Sequence, residues 1–281
     1  MQLYIFIIKM RKKLRLFGIG FIFFVLIFSQ YISLGMNEGS KKNINSHFVL
    51  LDNGRFFLWF QPDNTPPENG YPVILLFHGA AQHAFSWVLE WNPWTINQVS
   101  FGQQALDSGF YIICLESKKP IMPGPRAWDV FEEDPNKNND IQYISEVLNW
   151  IKEYKPDVDS NKIYCAGFSS GAFMCSRLAL SYDPIFSAMA INSGCNAQSI
   201  TLTKFGPIFN FTTQYSISKN HPPTLLLHGA QDTIVPLQCA TNYYRDLQNS
   251  LIDSKLIIEE DLGHIWLKSK NSDILEWFQS H

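Results

Sequence analysis

Lys162-Ile163-Tyr164-Cys165-Ala166-Gly167-Phe168-Ser169-Ser170-Gly171-Ala172-Phe173-Met174 changes its period half-way along. Residues 162–166 form a short apolar run of strand type, and from Gly171 to Tyr182 the apolar residues follow helical spacing. Ser169 stands at the junction, with Gly167 and Gly171 two residues away on either side. A serine on so sharp a strand-to-helix turn needs neighbours without bulk, because the two backbones approach closely there. In return its hydroxyl stands above the sheet. The amide of Ser170 then faces the place where negative charge would develop, with the positive end of the helix behind it. Ser170 cannot take over from Ser169, since a frame shifted by one puts Phe168 where a small residue is required.

Working outward, apolar strand-like runs alternate with longer periodic stretches. The runs are 72–77, 110–115, 162–166, 186–192, 223–227 and 255–259. Helices are predicted over Asp140–Tyr154, capped by Asp140, and over Gly171–Tyr182, Leu237–Leu251 and Ser272–Gln279. Continuous apolar strands separated by helices predict an α/β fold, with a mostly parallel central sheet and helices on both faces. His47–Gln61, turning at Asp52-Asn53-Gly54, predicts an antiparallel hairpin ahead of it. Two stretches read as irregular, Glu116–Asn139 and Gln198–Pro223. Both leave the carboxyl ends of strands, where open α/β sheets bind their ligands.

A serine hydroxyl is a weak nucleophile at neutral pH, so it needs a base within reach and a carboxylate to hold that base's tautomer. On this architecture the partners follow the serine in the order acid, then histidine. Leu225-Leu226-Leu227-His228-Gly229-Ala230-Gln231-Asp232 carries an acid beyond a strand, and Asp261-Leu262-Gly263-His264 carries a histidine beyond the last one. Asp232 and His264 are therefore the candidate partners of Ser169. His78 and His228 precede glycines at strand ends, where an imidazole braces a loop. Glu259, Glu260 and Asp261 belong to the segment that delivers His264 itself. The loop His78-Gly79-Ala80-Ala81-Gln82 should supply the second oxyanion donor, with the amide of Ala80 first and that of Ala81 second. His83 stands near this loop as a candidate substrate contact. Trp128 and Trp266, with Trp87, Trp91 and Trp94, are candidate walls for a ring-bearing substrate, against the alternative that they pack in the core.

The 281 residues, 46% of them hydrophobic, suffice for one large catalytic domain, expected over 47–281. A net charge of -3, with the basic residues outside the N-terminus scattered among acids, speaks against nucleic acid as a partner. Arg11, Lys12, Lys13 and Arg15 precede an uncharged apolar run from Leu16 to Ser29, and Ser33 and Gly35 offer small residues for cleavage. Residues 1–35 thus read as a signal peptide, or as an uncleaved anchor tethering the protein to a membrane, followed by a polar spacer over 36–46. Either way the catalytic domain is expected outside the cytoplasm. Five cysteines fit an oxidising compartment. Cys114, Cys165 and Cys175 read as buried, and Cys195 and Cys239 as a candidate disulfide. Asn210-Phe211-Thr212 is a possible glycan acceptor. No metal cluster or phosphate-cradling loop is legible, so no cofactor is expected.

The stretch Asp157–Met174, together with Phe186-Ser187-Ala188, Asn192-Ser193-Gly194, the loop from His228 to Pro236 and Gly263-His264-Ile265-Trp266, resembles the esterase and polyhydroxybutyrate depolymerase family. That family includes microbial feruloyl and acetylxylan esterases, and the likeness runs from Val73 to the C-terminus. It implies an α/β-hydrolase fold and the same Ser169, Asp232 and His264. It also implies a secreted serine esterase acting on a feruloyl, acetyl or hydroxyalkanoate ester, either a small molecule or linked to polysaccharide. Ser170, Ala172 and Ala80 depart from residues common in the family. Two other readings stand beside this one: a non-catalytic binding protein on the same fold, and a peptidase or thioesterase using the same three residues.

Overall fold

The computed structural model describes residues 45–90, 95–118, 126–181, 185–203 and 206–281. All of these belong to one compact unit, Ile44–His281. The expected leader at 1–35, nearly all of the spacer, and Trp91 and Trp94 lie outside the described residues.

The strands are β1 (Asn45–Leu50), β2 (Phe56–Gln61), β3 (Tyr71–Phe77), β4 (Tyr111–Leu115), β5 (Val158–Phe168), β6 (Ala188–Asn192), β7 (Ile200–Thr203), β8 (Gly206–Phe209), β9 (Thr224–Gly229) and β10 (Ser254–Glu259). The helices are α1 (Ile96–Asp107), α2 (Asn139–Tyr154), α3 (Ser170–Ser181), α4 (Gln238–Asn249) and α5 (Asn271–Ser280). Eight strands form one sheet in the order β1-β2-β4-β3-β5-β6-β9-β10. β1, β2 and β4 pair antiparallel, and every pairing from β4 across to β10 is parallel. Both the opening hairpin and the parallel sheet follow the sequence expectation.

Alternation along the central strands builds two cores. Val73, Leu75 and Phe77 of β3 and Tyr111, Ile113 and Leu115 of β4 face the layer made with α2, α3 and α4. Ile74, Leu76, Ile112 and Cys114 face the layer made with α1 and α5. Because both faces are covered, these strands read as unbroken apolar runs rather than alternating ones.

Two local expectations are corrected. The N-cap of α2 is Asn138, whose side chain accepts from the amides of Asp140 and Ile141. Asp140 instead sits in the first turn, buried, 2.5 Å from Arg55 Nη1 and accepting from the Asp129 amide. An acid in the first turn also faces the positive end of the helix. The stretch after β6, expected to be irregular, carries the small antiparallel pair β7–β8. Cys195 and Cys239 are joined in a disulfide, tying the segment after β6 to the first turn of α4, while Cys114, Cys165 and Cys175 are buried and free.

Candidate functional site

Ser169 lies between β5 and α3 with φ of 53°, in the left-handed region that a residue with a side chain rarely adopts. Its amide donates to Asn192 O at 3.0 Å and its carbonyl accepts from Phe173 at 3.0 Å, so strand and helix hold the turn from both sides. The flanking glycines are required by space: a Cβ on Gly167 would land on the Gly171 carbonyl, and one on Gly171 on the carbonyls of Phe77 and His78. The turn thereby seats directly on the carboxyl end of β3, beside the loop that follows it.

His264 and Asp232 arrive from the loops after β10 and β9. His264 Nε2 is 2.9 Å from Ser169 Oγ, and Nδ1 is 2.7 Å from Asp232 Oδ2. A carboxylate accepts from Nδ1–H, which leaves the Nε2 lone pair facing the serine hydroxyl. Asp232 is held by its other oxygen, which accepts from the amides of Ile234 and Val235 at 2.9 and 2.8 Å. Burial alone would raise the Asp232 carboxyl. The bonds from His264, Val235 and Ile234 and the nearby imidazole outweigh burial and hold it below the usual range. The His264 side chain retains 15% exposure, so the site opens to solvent on the serine side while Asp232 is enclosed. Phe168 packs on the imidazole with ring centroids 5.0 Å apart. This arrangement can move a proton from hydroxyl to imidazole with no further group.

A model of the prolyl oligopeptidase family matches residues 126–281. The chain belongs to that family. Relatives of this prolyl oligopeptidase family member include a poly(3-hydroxyoctanoate) depolymerase of Pseudomonas fluorescens, 28% identical over 82% of this chain and 83% of that protein. Another is feruloyl esterase B of Thermothelomyces thermophilus, 28% identical over 64% of this chain and 65% of the other. An acetyl xylan esterase from Aspergillus awamori superposes with a TM-score of 0.62 at 16% identity, covering 84% of this chain and all of its own. The fold is thus that of the α/β-hydrolases, as expected, and the resemblance to esterases and depolymerases is matched by these relatives. The expectation of a hydrolase stands with it.

The predicted aromatic walls need correction. Trp128 in this family member is fully buried, its indole N–H donating to His78 O at 2.8 Å and its ring packed on Phe77 and His78. It supports the loop after β3 from below. Trp266 is also buried, donating to Asn271 Oδ1 at 2.9 Å and packing against Trp87 and Phe101. Both stood as candidate walls beside the alternative of core packing, and their burial puts them in the core, where so large an apolar ring gains most from leaving water. His83 remains partly exposed, with Nδ1 3.2 Å from Glu116 Oε1. Ser170 Oγ accepts from the Trp128 amide at 3.1 Å, which ties the head of α3 to the segment carrying Arg126.

Of the two amides expected to supply the second oxyanion donor, that of Ala81 is taken, donating to Arg126 O at 2.8 Å. The Ala80 amide has no acceptor among the described residues. Among the described residues no group of His, Cys, Asp and Glu is placed to hold a metal ion.

Sequence reasoning missed Asn192. Fully buried at the end of β6, it accepts the Ser169 amide on its carbonyl, while its side chain donates to Ile265 O at 3.0 Å and accepts from Leu267 at 2.9 Å. One residue therefore bridges the serine turn to the histidine loop. The available signal was a polar residue closing an otherwise apolar strand.

His78 bears on pH dependence. Burial lowers its imidazole from the ordinary 6.5 to about 4; Nδ1 bonds to Gly79 O and Nε2 accepts from the Ser117 amide. Burial lowers His221 likewise to about 4. Both are neutral in the folded chain but protonate near 6.5 in the unfolded one. Their contribution is therefore complete above pH 6.5 and is lost as pH falls toward 4. At on the order of 3 kcal/mol for each, thermal melts should drop steeply across that window. His221→Phe should flatten the drop. A pH-independent melting temperature from 7 to 4 would refute this account.

Proposed function

We propose that this family member is a secreted serine esterase in which Ser169 is the nucleophile, His264 the general base and Asp232 the group that orients it. The unbroken line of bonds from Ser169 Oγ through His264 to Asp232 carries the reading. In the first half-reaction Oγ forms a bond to the ester carbonyl carbon as its proton passes to His264 Nε2. The oxyanion so formed is taken by the amides of Ala80 and Ser170. Collapse breaks the bond to the alkoxy oxygen, which leaves with the proton from His264 and yields an acyl-enzyme. Water then enters by the same route, its oxygen bonding to the acyl carbon as its proton passes to His264; collapse breaks the bond to Ser169 Oγ, which takes that proton back as the acid leaves. Each amide contributes about 3 kcal/mol to the transition state.

The acyl group is proposed to be a hydroxyalkanoate or ferulate, in line with the names of the relatives at 28% identity, or acetate, in line with the acetylxylan esterases among the other relatives. His83 is proposed to contact it, since among the described residues it is the expected substrate contact that keeps solvent access. Secretion is supported by the leader-like composition of residues 1–35 and by the Cys195–Cys239 disulfide, which fits an oxidising compartment. The family name favours peptide bonds as a second reading. A panel of p-nitrophenyl acetate, methyl ferulate, hydroxybutyrate oligomers and peptide amides separates the two. Ester turnover, with one fluorophosphonate bound per chain at Ser169, is the expected result. Turnover of amides alone would replace the esterase reading, and absence of both turnover and labelling would end it.

A further inference from the structure

Glu116 directly follows β4, is 3% exposed, and uses both carboxylate oxygens on the loop that carries Ala80. Oε2 accepts from the Ala84 amide at 2.8 Å. Oε1 accepts from Arg126 Nη1 and lies 3.2 Å from His83 Nδ1. Arg126 Nη1 also donates to Ser117 O at 3.0 Å, and the Arg126 carbonyl accepts from the Ala81 amide at 2.8 Å. A single buried carboxylate thus fixes the loop at Ala84 directly and at Ala81 through Arg126. Ala81 needs such holding, because its φ of 61° is one a side-chain-bearing residue avoids.

Apart from that of Ala80, the remaining amides of the loop are also occupied. Gly79 donates to Gln82 Oε1 at 2.7 Å, Gln82 to Gly79 O at 3.2 Å and His83 to Ser86 Oγ at 3.3 Å. From Gly79 to Ala84, Ala80 therefore has the one amide with no acceptor among the described residues. A donor with no acceptor among the described residues, in a loop whose every other amide is tied, suits an anion that is present for part of a cycle. Burial alone would raise the Glu116 carboxyl, yet the bond from His83, the facing His78, the Ala84 amide and Arg126 hold it below the usual range. The group is thus charged at neutral pH, where its bonds are strongest.

We infer that Glu116 is a positioning residue, holding the Ala80 amide in aim for the oxyanion through Ala84 and the Arg126 backbone. This rests on the reading of Ser169 as nucleophile. Charge-assisted bonds hold the loop more stiffly than neutral ones, so loosening them leaves ground-state binding alone and weakens the transition state.

The test is Glu116→Gln in the full chain, which keeps shape and an acceptor but removes the charge. The expected result is a kcat on p-nitrophenyl acetate lower by about 10- to 100-fold with KM within twofold, short of the hundredfold or more for a donor removed outright. Affinity for a trifluoromethyl ketone, which adds to the serine as a tetrahedral oxyanion, should fall by the same factor. A merely structural role would lower the melting temperature without linking those two numbers. Arg126→Gln, at a more exposed position, should repeat the pattern at smaller size and decides the matter if the first variant does not fold. If the parent chain turns over and takes up fluorophosphonate while neither variant shifts kcat or ketone affinity, positioning by Glu116 is overturned. If the parent does neither, the failure lies with Ser169.

Discussion

Ser169→Ala is expected to lower ester turnover by about a millionfold while leaving the melting temperature nearly unchanged. The side chain's one hydrogen bond among the described residues runs to His264 Nε2, in a part of the site open to solvent. Losing it costs about 1 kcal/mol or less of stability. The left-handed turn survives, because alanine tolerates φ of 53° no worse than serine does and the amide bond to Asn192 O is unaffected. Chemistry has no such substitute. Ser170 is the nearest hydroxyl in sequence, but its oxygen accepts from the Trp128 amide and its side chain belongs to the first turn of α3. What remains should be the share due to substrate binding and the oxyanion amides, on the order of a thousandfold over water. Stopped assays of p-nitrophenyl acetate with thermal melts on the same samples check both halves. A variant retaining a hundredth of the parent rate would mean that another group attacks.

The contrast between Ser169 and Trp128 shows what could be read in advance. The serine turn declares itself because strain, small neighbours and a change of period all act within a few residues of one another. The apolar strand runs and the candidate partners Asp232 and His264 were read from the same kind of short-range pattern, repeated along the chain. Trp128 and Trp266 stayed open between pocket wall and core because composition reports that a large ring is present, whereas burial depends on what arrives from elsewhere, here His78 O and Asn271. Asn192, Glu116 and Arg126 were passed over for a related reason. Their partners lie on other loops: Arg126 reaches Glu116 and the Ala81 amide, and Asn192 joins residues 169 and 265–267. Such side chain to backbone bonds leave no periodic trace. The pair β7–β8 escaped notice because four-residue strands of mixed exposure lack a readable alternation.

Gly171→Ala should have the largest effect on the fold of any single methyl group added near the site. The new Cβ would meet the carbonyls of Phe77 and His78, which are backbone and cannot rotate away. β3 is held between β4 and β5 in the middle of the sheet, so it cannot yield without breaking ladders on both sides. The head of α3 is equally fixed by the bonds of Ser169 and Ser170. Overpacking against an immobile backbone costs at the upper end of what single changes produce, about 4–5 kcal/mol. For a unit of this size that lowers the melting temperature by roughly 10–20 °C. Gly54→Ala is the control: its φ of 80° also disfavours a side chain, but nothing lies within 4 Å of the added carbon. It should cost about 1 kcal/mol, the conformational part alone. Activity supplies a second readout, since relief of the clash pushes on His78, next to the loop that carries Ala80. Gly171→Ala molecules that remain folded should therefore lose kcat with little change in KM. If the two alanine variants melted within 2 °C of each other, close backbone contact would not be what the glycine at 171 is for.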